Sequence, residues 1–187
     1  MLGATYDERD HRWQILADVS YSIPFDKEIE GITHFTLTPV CLEDERNFLG
    51  VYLGGAAVEF KSGSLPDDAT KDAWTFELGL TYRRYLNSSR TAISPYFGAN
   101  LGYVLFGWNY RSPITSGGDR IKYDLLSGGE GAAVFGISTR RDKPLSVFGE
   151  VGLGGTFFGD QTAHDFKNDV FDGYGFFSVR AGVSFKF

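Results

Sequence analysis

The chain has 187 residues, enough for one domain, and 42% of them are hydrophobic and 16% aromatic, which excludes a disordered chain. Its net charge of −6 and isoelectric point near 5.0 exclude the basic face of a nucleic-acid-binding protein, so no nucleic-acid partner is expected. The one cysteine, Cys41, excludes an intrachain disulfide.

Eight segments in which apolar and polar residues alternate follow one another along the chain. They span residues 12–23, 32–42, 48–60, 73–86, 92–110, 120–140, 145–159 and 171–187. No helical pattern, repeat or linker interrupts them. Glycine, at 24 of 187 residues, is nearly twice its usual share of about 7%, and it weakens helices. The sequence predicts an all-β fold with one domain over residues 1–187.

The connections between the segments alternate between short and long. Short polar connections lie at 43–47, 87–90 and 141–143, and longer ones rich in Gly, Asp, Ser and Thr lie near 24–31, 61–72, 111–119 and 160–170. Membrane barrels have short periplasmic turns and longer external loops, whereas a soluble meander has no reason to separate the two kinds. The pattern predicts an eight-stranded antiparallel up-and-down transmembrane β-barrel with both termini in the periplasm.

Each strand divides its residues between a bulky apolar face and a small or polar face. In the last strand the apolar face carries Val179, Ala181, Val183, Phe185 and Phe187, and the opposite face carries Ser178, Arg180, Gly182, Ser184 and Lys186. Eight strands enclose a space only just wide enough for side chains, so we expect small and polar residues inside and aromatic ones facing lipid. The mean hydropathy of −0.18 is compatible with this arrangement, because only alternate residues of a membrane barrel face lipid.

The C-terminal segment 177–187, with a final Phe and apolar residues at alternate positions before it, resembles the C-terminal signature of bacterial outer-membrane proteins. Together with segment 95–103, it makes the chain similar to the small barrels of the OmpA-transmembrane and OmpX/Ail type. The resemblance implies a location in the outer membrane, among its lipid and lipopolysaccharide. It also implies that Phe185 and Phe187 are the signal for the barrel assembly machinery. The N-terminal residues show no basic segment followed by an apolar core, so we expect a mature form without a signal peptide.

Charged residues fall on the face that is expected to point into the lumen. They are Asp18, Glu77, Arg83, Glu130, Glu150, Arg180 and Lys186. Charges of both signs in a narrow lumen should pair, since an isolated buried charge is unfavourable. We interpret them as a network of ion pairs that fills the barrel, with a narrow path for ions or small solutes as the alternative.

Catalytic and metal-binding patterns are weak. Some barrels of this size are lipid A deacylases, and that type is similar in having a His-x-Ser-Asn motif. None of His11, His34 and His164 is followed by Ser at the second position, so the motif is missing from this chain. No calcium-loop spacing occurs in the acidic connections. We therefore expect no catalytic residues, metal or cofactor, and a structural, adhesive or surface-interaction role through the external loops, which would bind any surface ligand. A small-solute channel, a lipid-modifying enzyme and, more remotely, a soluble ligand-binding barrel are the alternatives.

Overall fold

The computed structural model describes residues 12–26, 29–61, 69–88, 90–116, 119–159 and 173–187. They form eight strands: β1 (Arg12–Pro24), β2 (Ile29–Glu43), β3 (Asn47–Phe60), β4 (Ala69–Tyr85), β5 (Ile93–Ser116), β6 (Asp119–Thr139), β7 (Leu145–Phe158) and β8 (Gly173–Lys186). No helix in this part of the chain is long and apolar enough to cross a membrane.

Each strand pairs in antiparallel orientation with the next one along the chain, and β8 pairs with β1 to close the sheet. The closing seam runs without a register shift from Gln14, opposite Lys186, to Pro24, opposite Phe176. Closure removes the edge strands, whose unpaired backbone groups are unfavourable in lipid. The predicted eight-stranded up-and-down antiparallel barrel is confirmed.

The two ends of the barrel differ in their connections. The connections after β2, β4 and β6 lie at one end, with the start of β1 and the end of β8, and we call it the turn end. The connections after β1, β3, β5 and β7 lie at the opposite end, which we call the loop end.

The hairpin of β5 and β6 is longer than the sequence predicts. Its pairing continues from Ile114 opposite Ile121 to Ser116 opposite Asp119, after a register shift that follows Asn109. The connection is therefore 117–118 and not 111–119, and the predicted strict alternation of short and long connections is wrong at this position. The turn-forming composition of this segment misled the prediction, because a strand pair that continues past the barrel wall needs no alternating apolar face.

Side chains of alternate parity point to opposite sides of the wall, as predicted. In the outward rows Leu101 is 65% exposed and Leu153 is 59% exposed. In the inward rows Thr36 is 2% exposed and Glu150 is 5% exposed. The barrel is apolar outside and carries its buried charges inside, which is the reverse of a soluble barrel.

The lumen is not lined only by small and polar residues, and that part of the prediction is wrong. Two groups of buried apolar side chains fill it. The loop-end cluster consists of Ile29, Ile32, Val58, Ala73, Val104, Phe106, Trp108, Leu126, Phe158, Tyr174 and Phe176. The turn-end cluster consists of Leu16, Phe48, Tyr85, Tyr96 and Phe148. Polar residues occupy the space between these two clusters and the turn end itself.

Glycines on neighbouring strands make room for the aromatic rings inside the barrel. A Cβ atom added at Gly136 would lie 2.5 Å from Cζ of Tyr96, and one added at Gly182 would lie 2.6 Å from Cζ of Phe148. Both distances are far below van der Waals contact, so each ring occupies the space that a larger side chain would need. The high glycine content thus explains how eight strands enclose bulky rings.

Candidate functional site in the barrel lumen

The charged residues of the lumen form three groups along the barrel axis, and the first closes the turn end. Arg141 Nε donates to Glu43 Oε1 at 2.9 Å, and Lys186 Nζ contacts the same carboxylate. The Arg141 guanidinium also lies over the ring of Tyr85, 3.2 Å from its centroid. With Arg141 only 1% exposed, this is a fully buried ion pair with a second cation beside it. We call it the turn-end ion cluster.

Arg141 also joins the three connections of the turn end to one another. From the β6–β7 connection, its Nη2 donates to the carbonyl oxygens of Glu45 (3.1 Å) and Asp44 (3.4 Å) in the β2–β3 connection. Its Nη1 donates to the carbonyl of Asn87 in the β4–β5 connection at 3.5 Å. The carbonyl of Arg141 in turn accepts from Lys186 at the end of β8. One side chain thus fixes the relative positions of all three turns.

The second group lies in the middle of the lumen and alternates in charge. Arg83 Nη2 is 3.2 Å from Glu150 Oε2, and Arg180 Nη1 is 3.5 Å from Glu150 Oε1. Arg180 Nε is 3.4 Å from Asp18 Oδ1. The hydroxyl of Tyr96 donates to Glu150 Oε2 at 3.1 Å. Four of the residues that the sequence assigned to the network therefore lie in one chain of contacts.

Aromatic rings of the turn-end cluster surround the guanidinium of Arg83. Its Cζ atom is 4.4 Å from the ring centroid of Phe148, 5.1 Å from that of Tyr96 and 5.3 Å from that of Phe48. A guanidinium is weakly hydrated and stacks on aromatic faces, so this cage can hold the cation away from water. The aromatic residues of the lumen and its charges are parts of one packed arrangement.

The third group lies toward the loop end and contains no arginine or lysine pair among the described residues. His34 Nδ1 is 3.0 Å from Glu77 Oε1, which also accepts from the hydroxyl of Thr75 at 3.0 Å. Glu130 accepts a hydrogen bond from Thr156 at 3.5 Å. Glu130 is thus in the lumen as expected, but within the described part of the chain it makes no ion pair.

The sequence interpretation missed Glu43, Arg141 and His34 as members of the luminal groups. Glu43 was assigned to a turn, and a register irregularity between Leu37 and Val40 changes the parity of β2 beyond it. Before the irregularity the even-numbered residues of β2, such as Thr36, point into the lumen. After it the odd-numbered Glu43 does so. Arg141 follows the end of its strand, so no alternation could indicate its direction. The one available signal was that Glu43 and Arg141 are each the first residue of a predicted short connection, which places opposite charges at the same end of the barrel.

The histidine in the described strands does not face lipid. His34 is 8% exposed and lies in the lumen, so it does not form a lipid-facing catalytic site. His11 and His164 lie outside the described residues. Within the described part of the chain, no group of three or more His, Cys, Asp or Glu side chains could hold a metal ion. The absence of a metal, cofactor and catalytic centre stays a prediction.

The two phenylalanines assigned to assembly lie on the outer face of β8 and just beyond it. Phe185 is 47% exposed and Phe187 is 82% exposed. Ser184, which precedes Phe185 and points into the lumen, is buried and donates a hydrogen bond to Gln14 at 2.6 Å. Their side chains are on the accessible side of the closing strand. Their role as an assembly signal stays a prediction.

No protein-family model matches the chain, and no curated protein is significantly similar to it. Among solved structures, Neisserial surface protein A is similar with a TM-score of 0.59 and 13% identity, over 94% of this chain and 97% of that one. The N-terminal β-barrel domain of Pseudomonas aeruginosa OprF has a TM-score of 0.49 and 12% identity, over 95% and 99% of the two chains. Ail, the attachment invasion locus protein of Yersinia pestis, has a TM-score of 0.49 and 10% identity over the same shares.

The chain therefore has the fold of the small outer-membrane β-barrels, as the C-terminal signature implied. Its likeness to Neisserial surface protein A, at 13% identity, concerns the architecture. One fold can support many unrelated functions. The features that bear on function are therefore those of the barrel wall and its lumen.

Proposed function

We propose that this chain is an integral protein of the bacterial outer membrane that forms a closed, non-conducting barrel and acts through the surface at its loop end. The observation that carries the proposal is the filling of the lumen at both ends by side chains withdrawn from solvent. The outer surface and the lumen support it in different ways.

The outer surface carries a charge-free apolar belt of nearly membrane thickness. From Leu49 to Ala57 in β3 and from Trp74 to Tyr82 in β4, the outward rows contain no charged side chain. Such a stretch extends about 27 Å along a strand, or about 20 Å across a membrane at a tilt of ~45°. Barrels of this kind have an apolar band of about 25 Å. An exposed apolar surface of this extent would aggregate in water, so lipid is its natural surrounding.

The loop-end cluster closes the lumen by aromatic packing. The ring centroid of Phe106 is 6.0 Å from that of Trp108 and 5.8 Å from that of Phe158. Phe106 and Trp108 are each 1% exposed. Rings at these distances interdigitate, so this level of the lumen offers little room for an ion with its hydration shell.

The turn end is closed by charge as well as by packing. Arg141 spans the connections there, and Phe48 and Tyr96 are both 0% exposed. An ion entering from either end would have to displace side chains that are held by packing or by several hydrogen bonds. The described lumen is thus better suited to stiffening the barrel than to conduction, and the channel alternative is the weaker one.

The described part of the loop end offers accessible polar groups for a surface role. Glu30 and Glu59 are exposed there, and Lys61 Nζ donates to the carbonyl of Asp26 at 3.1 Å. Most of the remaining acidic residues assigned to loops lie outside the described residues. The similar Neisserial structure is that of a surface protein. Contact with lipopolysaccharide or with a surface ligand at this end is part of the proposal.

Planar-bilayer recordings test the closed lumen. We expect no single-channel events from the wild type. The Trp108→Ala/Phe158→Ala variant opens the loop end alone and should remain silent, whereas adding Phe48→Ala, Arg83→Ala and Arg141→Ala, which removes the central and turn-end closures, should produce conductance. The matched control Leu101→Ala/Leu153→Ala, which changes two lipid-facing residues, should be silent as well. Heat-modifiable gel mobility shows in each sample that the barrel is folded.

Conductance by the folded wild type would contradict the proposal and favour the channel alternative. Solubility without detergent and a gel mobility unaffected by heating would contradict the membrane assignment itself. Deacylation of lipid A by the folded protein would instead favour the enzyme alternative.

A further inference from the structure

An arginine in the outward row of β4 lies just outside the apolar belt at the turn end. Arg84 follows Tyr82 in that row, and it is exposed between the buried side chains of Arg83 and Tyr85. Among the described residues no carboxylate lies within 4.0 Å of it, whereas Arg83 and Arg141, which face the lumen, both have one. Arg84 is therefore a cation at the edge of the lipid-facing surface that the described part of the chain leaves without a counter-ion.

The guanidinium of Arg84 is nevertheless held in place. Its Nη1 donates to Oδ1 of Asn47 at 3.2 Å, and the hydroxyl of Tyr82 donates to the same oxygen at 2.9 Å. Asn47 lies directly opposite Arg84 in the β3–β4 pairing. One edge of the guanidinium is thus fixed, and the described residues accept no hydrogen bond from its other N–H groups.

The turn before β3 fixes the direction of the Asn47 amide. Its Nδ2 donates to Asp44 Oδ2 at 2.9 Å, so Oδ1 is the atom that faces Tyr82 and Arg84. Asp44 also accepts from the backbone N–H groups of Arg46 at 2.7 Å and Asn47 at 2.5 Å. Its carboxylate thus orients the amide and caps the turn, and it does not lie within ion-pair distance of Arg84.

A second cation lies beside this arrangement. The carbonyl of Arg46 accepts from the backbone N–H of Tyr85 at 2.7 Å, which places Arg46 next to the residue that follows Arg84. Arg46 is exposed, and the described residues provide no carboxylate within 4.0 Å of it either. The turn therefore brings a second exposed arginine close to Arg84, together with the exposed carboxylate of Glu45.

We propose that Arg84, oriented by Asn47 and assisted by Arg46, binds the phosphate of an anionic phospholipid in the periplasmic leaflet. A guanidinium fork matches two phosphate oxygens, and such charge-assisted pairs are about twice as strong as neutral hydrogen bonds. Phosphates lie at the boundary of the hydrocarbon, the depth at which an outward tyrosine such as Tyr82 is usually found. Phosphatidylglycerol is the anionic head group proposed, because its phosphate matches the guanidinium fork of Arg84; with Glu45 exposed beside Arg46, Arg84 is the residue that decides the affinity. This inference rests on the proposed membrane insertion.

Native mass spectrometry of the folded barrel with phosphatidylglycerol tests the site. We expect Arg84→Gln to lower the affinity for the most tightly held lipid by roughly tenfold, the factor that corresponds to about 1.4 kcal/mol. Arg84→Lys keeps the charge and loses the fork, so it should give an intermediate loss. The matched control Arg90→Gln removes another exposed arginine at the turn end, from the β4–β5 connection, and should retain the lipid as the wild type does.

Equal losses in Arg84→Gln and Arg90→Gln would show general attraction by a basic rim and would overturn the proposal. So would undiminished retention by Arg84→Gln, or Arg84-dependent retention of lipid A in preference to phosphatidylglycerol. Heat-modifiable mobility and insertion into phosphatidylcholine vesicles are measured on the same proteins. Failure of those two measurements contradicts membrane insertion, whereas insertion without Arg84-dependent lipid binding contradicts only the site.

Discussion

The two ends of the lumen are closed by different chemistry. At the turn end Arg141, Glu43 and Lys186 form a buried cluster of charges with defined hydrogen-bond partners. At the loop end Phe106, Trp108 and their neighbours close the barrel by aromatic packing. Ion pairs and hydrogen bonds depend on direction and select which groups meet, whereas apolar packing depends mainly on shape and volume. The comparison suggests that the turn end specifies the arrangement of the strands and the loop end fills the space that results.

The largest expected effect is at the turn end. Replacing Arg141 by Met should destabilise the barrel by about 3–5 kcal/mol, because Glu43 keeps only Lys186 as a buried cation and three part-buried carbonyls lose a donor. Equilibrium unfolding in urea with lipid vesicles measures the change. Glu43→Gln combined with Arg141→Met should be less destabilising than the sum of the single changes. Additive effects would contradict direct coupling of the pair.

Substitutions at two glycines distinguish the effect of luminal packing from that of the lipid-facing surface. Gly136→Ala should destabilise by about 1–3 kcal/mol, because the new methyl group collides with the ring of Tyr96 and with the carbonyl oxygen of Gly149, each 2.5 Å from the added Cβ. Gly149 is the matched control: an added Cβ there meets nothing within 4 Å. Gly149→Ala should change stability by less than about 0.5 kcal/mol. The same unfolding assay compares them, and equal losses would mean that space around the rings is not what the luminal glycines provide.

A smaller effect is expected at the loop end. Phe106→Leu should destabilise by about 1 kcal/mol, since the cluster keeps an apolar side chain and loses part of its volume. The loss should be independent of salt, because no charge is removed. Denaturant midpoints at low and high salt provide the measurement. A strongly salt-dependent loss would show that the loop end depends on charges outside the described residues.

The smallest effect is expected at Glu130. Because the described residues give it a hydrogen bond from Thr156 and no ion pair, Glu130→Gln should change stability by less than about 1 kcal/mol. Glu150→Gln, which leaves Arg83 and Arg180 without their shared carboxylate, is the comparison and should lose several times more. Similar losses for the two variants would contradict the division of the lumen into groups with and without permanent cations.

Much of the fold was predictable because alternation is a local property of the sequence. The faces of β8 and of β1 follow directly from the residue order, and the closing pairs, such as Asp18 opposite Gly182, then bring their inward rows together. The ion pairs of Arg180 follow from that geometry. The faces needed no knowledge of distant contacts, whereas the individual pairs of Arg180 depend on the β1–β8 and β7–β8 registers, which the sequence analysis did not predict.

The missed features all depend on distant contacts or on irregular backbone. A register irregularity in β2 decides the direction of Glu43, and glycines on a neighbouring strand decide whether Tyr96 fits inside. Neither can be derived from the alternation of one strand. The apolar run that contains Phe106 and Trp108 was an available signal, because an outward-and-inward apolar pattern indicates that both faces are buried. It marks the level at which the lumen becomes aromatic.

The contacts of Arg141 join residues from early and late parts of the chain. Glu43 precedes Arg141 by 98 positions, and Lys186 follows Arg141 by 45. While the chain lacks its last hairpin, the carboxylate of Glu43 has neither cation and would be unfavourable inside a partly formed sheet. Docking of β7 and β8 supplies both cations as it closes the seam with β1. Neutralisation of one early glutamate by two late residues thus favours the fully closed barrel over its incomplete intermediates.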